Sequence, residues 1–329
     1  MRWLDPHWRA QAIAWIEESI GGPPTRPVEQ PHVYPWSTVL RVPTREGDLW
    51  FKASSPTHSF EAALALELVR VMPDRVPEVV AADPGRGWLL MRDAGIRLRD
   101  LVGGREQLVH WEWLLPLYAE LQIALAPRAS ELLTLGVPDE RLENLTAHFE
   151  RLLGDEDALL VGQPEGLSGD ELARLRAAVP EVATLCRELA AYGVPETLQH
   201  DDFHDGQVFV ADGRYRFLDW GDSCVSHPFH TLVVTLRAAA HKHVFEPGGP
   251  EVERLRDVYL EPFGGSELAA AVDLAHRTGT IARALAWYRF VSAPDAAVGS
   301  DDGIAVPYGL RLFLADGPLG SWDPAAGRQ

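Results

Sequence analysis

The segment His200-Asp201-Asp202-Phe203-His204-Asp205-Gly206-Gln207 gathers carboxylates, imidazoles and an amide into one short stretch. A second acidic stretch follows, Leu218-Asp219-Trp220-Gly221-Asp222. Between them lie two alternating runs, Gln207-Val208-Phe209-Val210 and Arg214-Tyr215-Arg216-Phe217-Leu218, joined by Ala211-Asp212-Gly213, whose Asp-Gly pair is a strong hairpin signal. A two-stranded ribbon brings the residues at its ends together, so Asp202 and Asp219 are expected to face one site. Gln207 can add an amide oxygen. Such oxygen donors suit Mg²⁺, which takes a few carboxylates plus phosphate oxygens and water. His200 and His204, at a spacing of four, leave a second chemistry open, that of a catalytic zinc or a two-metal hydrolase.

Lys52 stands out upstream, in Leu49-Trp50-Phe51-Lys52. The only lysines are Lys52 and Lys242; every other basic side chain with a fixed charge is arginine. A compact ammonium is therefore wanted on that strand.

The composition narrows the partners. A chain of 329 residues with 46% apolar and 24% charged residues is globular and long enough for a sizeable core. Its formal net charge of -18 offers no basic surplus to displace counterions from nucleic acid, and it tilts the choice of small molecules towards cations. The same acidity also serves solubility. Cys186 and Cys224 form no CxxC pair, which argues against a disulfide framework or a thiolate zinc site. No apolar run is long enough to span a bilayer, and Met1-Arg2-Trp3-Leu4-Asp5-Pro6 lacks the apolar core of a signal peptide. A cytoplasmic protein is expected, with a small-molecule ligand and no membrane, nucleic-acid or protein partner.

The elements that must position these residues fall into two groups. A capped amphipathic helix over 5–20, with Trp8, Ala12, Trp15 and Ile16 on one face, ends at Gly21-Gly22-Pro23-Pro24. An antiparallel hairpin follows, Thr38 to Val42 and Leu49 to Ala53, then a helix from Ser59 to Arg70 stopped by Pro73. Two further strands, 77–82 and 87–91, complete a β, β, α, β, β order. Beyond Asp93-Ala94-Gly95 the periodicity is helical over 111–126, 141–153, 169–189 and 267–291, interrupted by the one isolated hairpin. The expectation is an α+β architecture with a β-rich N-terminal lobe over 1–92, a mainly helical C-terminal lobe over 93–329, a hinge near Arg92 to Ile96 and a ligand cleft between the lobes.

With these elements in place, the loop resembles the His-x-Asp-x-His-x-x-Asn loop of aminoglycoside phosphotransferases and their choline-kinase-like relatives. Leu218-Asp219-Trp220-Gly221-Asp222 resembles their metal-binding aspartate segment. The resemblance implies a bilobal, protein-kinase-like fold and an ATP- or GTP-dependent, Mg²⁺-dependent small-molecule kinase acting on a hydroxyl. It implies Asp202 as catalytic base, Asp219 and Gln207 as Mg²⁺ ligands, and His200 and His204 as structural supports. It implies Lys52 as the lysine on the α- and β-phosphates and Glu61 as its helix partner, with Glu67 the second choice. Backbone from Leu90 to Ala94, including Met91 and Asp93, would meet the nucleotide base.

Two departures accompany the match. No GxGxxG precedes Lys52, so backbone or hydroxyls at Ser37 and Thr38 would cover the phosphates. Glutamine stands at 207 where asparagine is usual, as in maltokinase-like and glucosamine-kinase-like branches; a nucleotide-binding pseudokinase is the alternative this leaves. Asp222 is the candidate for substrate contact, with an aminoglycoside, aminosugar or amino alcohol as the acceptor class that the acidic chain favours. Glu246, Glu251 and Asp257 are read as a solvated face. Trp8, Trp15, Trp111 and Trp113 are read as core; Trp287, Tyr288 and Arg283 on a late helix can line a substrate pocket, with packing the preferred reading.

Overall fold

The computed structural model describes residues 2–243, 245–293 and 303–322. By its contacts the chain forms two units, one chiefly of Met1–Arg97 with Val208–Gly221, the other chiefly of Leu98–Gln207 with Asp222–Ser292.

The first unit is built on a strand alternation that serves two helices. Helix α1 (Pro6–Ile20) starts where Asp5 accepts a hydrogen bond from the His7 amide at 3.0 Å, with proline in the first turn, and stops at Gly21 in the left-handed region. Strands β1 (Glu29–Val33), β2 (Ser37–Thr44), β3 (Gly47–Ser54), β4 (Val79–Asp83) and β5 (Trp88–Arg92) form an antiparallel sheet in the order β1-β2-β3-β5-β4. Successive side chains point to opposite faces. Leu40, Val42, Phe51, Trp88 and Leu90 therefore pack with Ala12, Ile16 and the Trp8 and Trp15 rings of α1. Leu89, one residue from Leu90, packs on the other face with Ala62 and Ala65 of helix α2 (Phe60–Val71). Lys52 is paired in register with Val39 and Leu89, one step out of phase with Phe51.

The hairpin read as isolated is not isolated. Strands β8 (Val208–Ala211) and β9 (Arg214–Phe217) are joined by Asp212-Gly213 at φ of 52° and 69°. A short strand β6 (Ile96–Arg97) adds to them in the order β6-β8-β9. Gly95 permits this pairing, because a Cβ there would lie 2.2 Å from the Val210 carbonyl oxygen. The sequence reading ended the first lobe at residue 92; by contacts the hairpin and β6 belong to the first unit.

The second unit is mainly helical. Within the Gln107–Leu125 helix Trp111 is 1% exposed, but Trp113, expected in the core, is 68% exposed. Two residues along a helix turn about 200°, so the pair cannot share a face. The single helix expected over 169–189 is two, Gly169–Ala177 and Val179–Ala190. Pro180 is tolerated in the first turn of the second, where a missing N–H leaves nothing unsatisfied. Strands β7 (Thr197–Gln199) and β10 (Cys224–Ser226) pair antiparallel with Gln199 opposite Cys224. This register sets Asp201, two residues past Gln199, beside Asp222, two residues before Cys224. Cys186 and Cys224 are free and buried.

Candidate active site

In the first unit the buried Lys52 ammonium donates to Glu61 Oε1 at 2.7 Å and to Asp219 Oδ1 at 2.5 Å. Glu61 is 4% exposed and also accepts from the Ser54 hydroxyl at 3.0 Å and the Trp220 amide at 3.0 Å, so its position is determined from three sides. Burial opposes the charge on Lys52, yet Asp219 and Glu61 outweigh it and hold the ammonium well above the usual lysine range. Asp219 is held at φ 65°, a left-handed conformation that a non-glycine residue adopts at a cost. Glu67 is turned to Arg70, at 2.8 Å on the surface of α2.

The turn Tyr34-Pro35-Trp36 stands between β1 and β2, where a glycine loop is absent. The Tyr34 and Trp36 rings stack at 5.1 Å with an 8° interplanar angle. Trp3 Nε1 donates to the Tyr34 carbonyl at 2.8 Å, and the Ser55 amide donates to the Trp36 carbonyl at 2.7 Å. Thr38 lies inside, its hydroxyl donating to the His32 carbonyl at 2.6 Å, while the Ser37 carbonyl accepts from the Tyr34 amide at 2.9 Å. Met91 pairs between Trp50 and Val79 in the sheet. Asp93 accepts from Trp50 Nε1 at 2.8 Å and from the Gly95 amide at 2.7 Å, which shapes the turn into β6.

In the second unit the loop after β7 is fastened by its apolar member. Phe203 is fully buried, its ring stacked on Tyr118 at 4.1 Å and edge-on to Trp111 at 5.9 Å. His200 is buried beside it, and its amide donates to the Tyr118 hydroxyl at 3.1 Å. His204 Nδ1 accepts from the Gly206 amide and from Arg99, both at 2.9 Å. That makes Nε2 the protonated nitrogen, and it lies 3.4 Å from Asp202 Oδ2. Asp205 accepts from Arg99 at 3.0 Å, from Gln107 at 3.3 Å and from Lys242. A histidine buried in the core and another committed through Nδ1 to the loop do not form the ligand pair of a zinc hydrolase. Among the described residues no group of three or more His, Cys, Asp or Glu side chains is placed to hold a metal.

Two adjacent aspartates divide by exposure. The Asp201 side chain is 2% exposed, that of Asp202 24%, so only Asp202 can meet a ligand. Asp201 sits at φ 65° and accepts from Gln199 Nε2 at 3.1 Å. Burial pushes its carboxyl up to about 6, against the pull of Arg283. Asp202 accepts from Gln207 Nε2 at 3.3 Å, leaving the Gln207 amide oxygen as that side chain's acceptor group. Burial would raise the Asp202 carboxyl, but Arg283 and His204 together hold it well below the usual carboxylate range.

Arg283, for which packing is the preferred expectation and a pocket role the alternative, stands at the candidate site. From the Ala269–Val291 helix its guanidinium reaches Asp202 at 2.9 Å, Asp222 at 3.2 Å and Asp201 at 3.4 Å. Asp222 is thereby paired with a guanidinium, and its carbonyl accepts from Arg289 at 3.0 Å. The signal was present: Ile281-Ala282-Arg283-Ala284-Leu285 places an arginine within an apolar run, and a buried charge demands a partner. Lys242 was likewise visible only as a rare residue. Glu251 and Asp257 pair at the surface with Arg105 and Arg256, as expected of a solvated face.

Residues 35–271 match the sequence pattern of a family described as the phosphotransferase enzyme family. The chain belongs to this family. A stretch of 151 residues is 32% identical to a glucosamine kinase of Streptacidiphilus jiangxiensis, covering 45% of this chain and 32% of that protein. The match thus spans about a third of the length of that curated relative. Among solved structures, a choline kinase from Streptococcus pneumoniae is similar with a TM-score of 0.63 at 14% identity, over 94% of this chain and 99% of that one. An amicoumacin kinase, described in complex with AMP-PNP and Ca²⁺, is similar with a TM-score of 0.56 at 11% identity, over 97% and 99%. At these identities the likeness establishes the fold, α+β and protein-kinase-like, as the sequence implied. Arg283 lies beyond residue 271, where the family match ends.

Proposed function

We propose that this family member is a small-molecule kinase that transfers the γ-phosphoryl group of ATP, or GTP, to a hydroxyl. The observation that carries the reading is the buried Lys52 ammonium shared by Glu61 and Asp219 within the family-matched segment. An ammonium kept charged and pinned in this way is a fixed positive charge for the α- and β-phosphates. Backbone from Leu90 to Ala94, with Met91 and Asp93, is assigned to the base, and backbone near Ser37 to the phosphates. The Thr38 hydroxyl is already committed to the His32 carbonyl.

The donor set fits Mg²⁺. Asp219 offers a carboxylate whose side chain is 53% exposed, Gln207 offers an amide oxygen, and hard divalent cations take oxygen ligands of these kinds. Bound to Asp219, Mg²⁺ would neutralise charge on the β- and γ-phosphates.

Asp202 is assigned to the acceptor. Ionised at neutral pH, it accepts a hydrogen bond from the hydroxyl and aims the oxygen at the γ-phosphorus. A carboxylate held this far below neutrality is a weak base, so orientation precedes proton removal. As the new O–P bond forms and the bond to ADP breaks, the proton passes to Asp202 and then to water. His204 and Gln207 hold Oδ2 of Asp202 and Arg283 holds Oδ1, which fixes the direction of the remaining lone pairs.

The test is a contrast of two variants. Asp202→Ala should lower kcat by roughly 10²- to 10⁴-fold with Mg·ATP affinity kept, read by ADP release and by calorimetry. Asp219→Ala should weaken Mg·ATP binding itself. Full turnover by Asp202→Ala on any accepted substrate would sink the assignment.

A further inference from the structure

Each acidic side chain around the loop is in contact with a cation of the chain itself. Arg283 serves Asp201, Asp202 and Asp222, while Arg99 and Lys242 serve Asp205. An ammonium arriving beside Asp202 or Asp222 would have to compete with a buried guanidinium already in place. The opposite holds for Arg237. It lies on the Thr231–His243 helix, which also sends the Thr235 hydroxyl to the Phe203 carbonyl at 2.7 Å and Lys242 to Asp205. The Arg237 guanidinium is half-buried over the Tyr308 ring, 5.7 Å from its centroid. It makes no hydrogen bond or ion pair with any described residue. Burial, followed by the charge of Arg283, lowers its pKa, while Asp202 and Asp201 act in the other direction, so it lies within electrostatic reach of all three. A guanidinium carries five N–H donors in a fixed fork that matches carboxylate and phosphate oxygens. Partial desolvation without a matching anion is unfavourable, and a bound oxyanion would remove that cost.

We propose that Arg237 is an acceptor-binding residue and that the compound phosphorylated carries an oxyanion, a carboxylate or a phosphate, besides the hydroxyl offered to Asp202. The inference rests on the kinase reading and names its substrate class. It runs against the preference for cationic acceptors that a net charge of -18 suggests, because the local balance differs from the global one. Arg283 fills the place that an ammonium would need, and Arg237 supplies the charge that an anionic acceptor needs. Both arginines lie in the second unit with Asp202.

The full chain with Mg·ATP is given three sets of hydroxy compounds: hydroxycarboxylates with sugar phosphates, neutral sugars and polyols, and amino alcohols with aminosugars. Phosphorylated product is read by ³¹P NMR. Binding of each compound is read separately from its shift of Tm in the presence of a non-hydrolysable ATP analogue. The expected result is turnover in the anionic set, with KM raised by roughly 10- to 100-fold in Arg237→Gln, the worth of one charge-assisted hydrogen bond, kcat much less changed, and partial rescue in Arg237→Lys. Comparing carboxylate with phosphate members identifies the oxyanion. Preferred turnover of amino alcohols or aminosugars overturns the inference, as does equal use of an anionic acceptor by wild type and Arg237→Gln. If nothing is phosphorylated, an anion-dependent rise in Tm that Arg237→Gln loses upholds oxyanion binding at Arg237 and sinks the kinase reading. The absence of any such rise sinks the assignment of Arg237.

Discussion

Lys52 in the first unit and Arg283 in the second are both buried cations shared among carboxylates, and they differ in shape and in origin. Lys52 is a point charge on a central strand, bonded to Glu61 and Asp219, and it lies inside the segment matched to the phosphotransferase enzyme family. Arg283 is a planar fork on a late helix, spread over Asp201, Asp202 and Asp222, and it lies outside that segment. In the proposed reading Lys52 meets the nucleotide, and a compact ammonium suits phosphates that do not change with the acceptor. The charge beside Asp202 is set by His204 and Arg237 from within the family-matched segment and by Arg283 from beyond it.

The sharpest way to break this comparison is to remove the anchor of the first cation. Glu61→Ala deletes the acceptor of Lys52, of the Ser54 hydroxyl and of the Trp220 amide, and should cost about 3 to 5 kcal/mol in urea denaturation. It should also weaken Mg·ATP binding without moving the acid limb of the rate profile. Arg283→Met is the complementary lesion, expected to cost about 3 to 4 kcal/mol by leaving the carboxylates without their guanidinium. Because Arg283 holds the Asp202 carboxyl low, the acid limb of kcat/KM should move to higher pH in this variant, while nucleotide affinity stays as in wild type. A lost nucleotide site in Arg283→Met, or a shifted acid limb in Glu61→Ala, would show that the two cations are not independent.

The smallest effect is expected at Asp201. Its carboxyl is raised to about 6, so the folded protein favours the neutral form. The stability this preference gives is complete below pH 4, the ordinary carboxylate value, and is lost as pH rises through 6. Asp201→Asn mimics the neutral form at every pH. It should be about 2 to 3 kcal/mol more stable than wild type above pH 7 and equal to it below pH 4, by thermal or urea melts. No pH dependence in that difference would mean that Arg283 fully compensates the buried charge.

Much of the fold was legible. The cap at Asp5, the strand alternation around Phe51 and Lys52, and the Asp-Gly turn of the hairpin are local signals, and the corresponding elements are present. The failures were also local in origin. Trp113 has the composition of a core residue but the wrong phase, and Pro180 divides a helical pattern that is otherwise continuous. Strand β6 is two residues long, too short to carry any periodicity.

By itself the sequence determined which residues are the candidates for chemistry in the loop, the second acidic stretch and the lysine strand, because those depend on residue type at short spacing. Tertiary structure decided which charges meet. The register of β7 against β10 sets Asp222 beside Asp201, and helix packing delivers Arg283 to Asp202 across 81 positions. It also leaves Arg237 over Tyr308 without an anion among the described residues. Coulomb interactions depend on distance in space and on burial, and neither is written in the spacing of residues along a chain. In the proposed reading the loop from His200 to Gln207 orients a hydroxyl, and the arginines folded against it select the charge of the molecule that brings one.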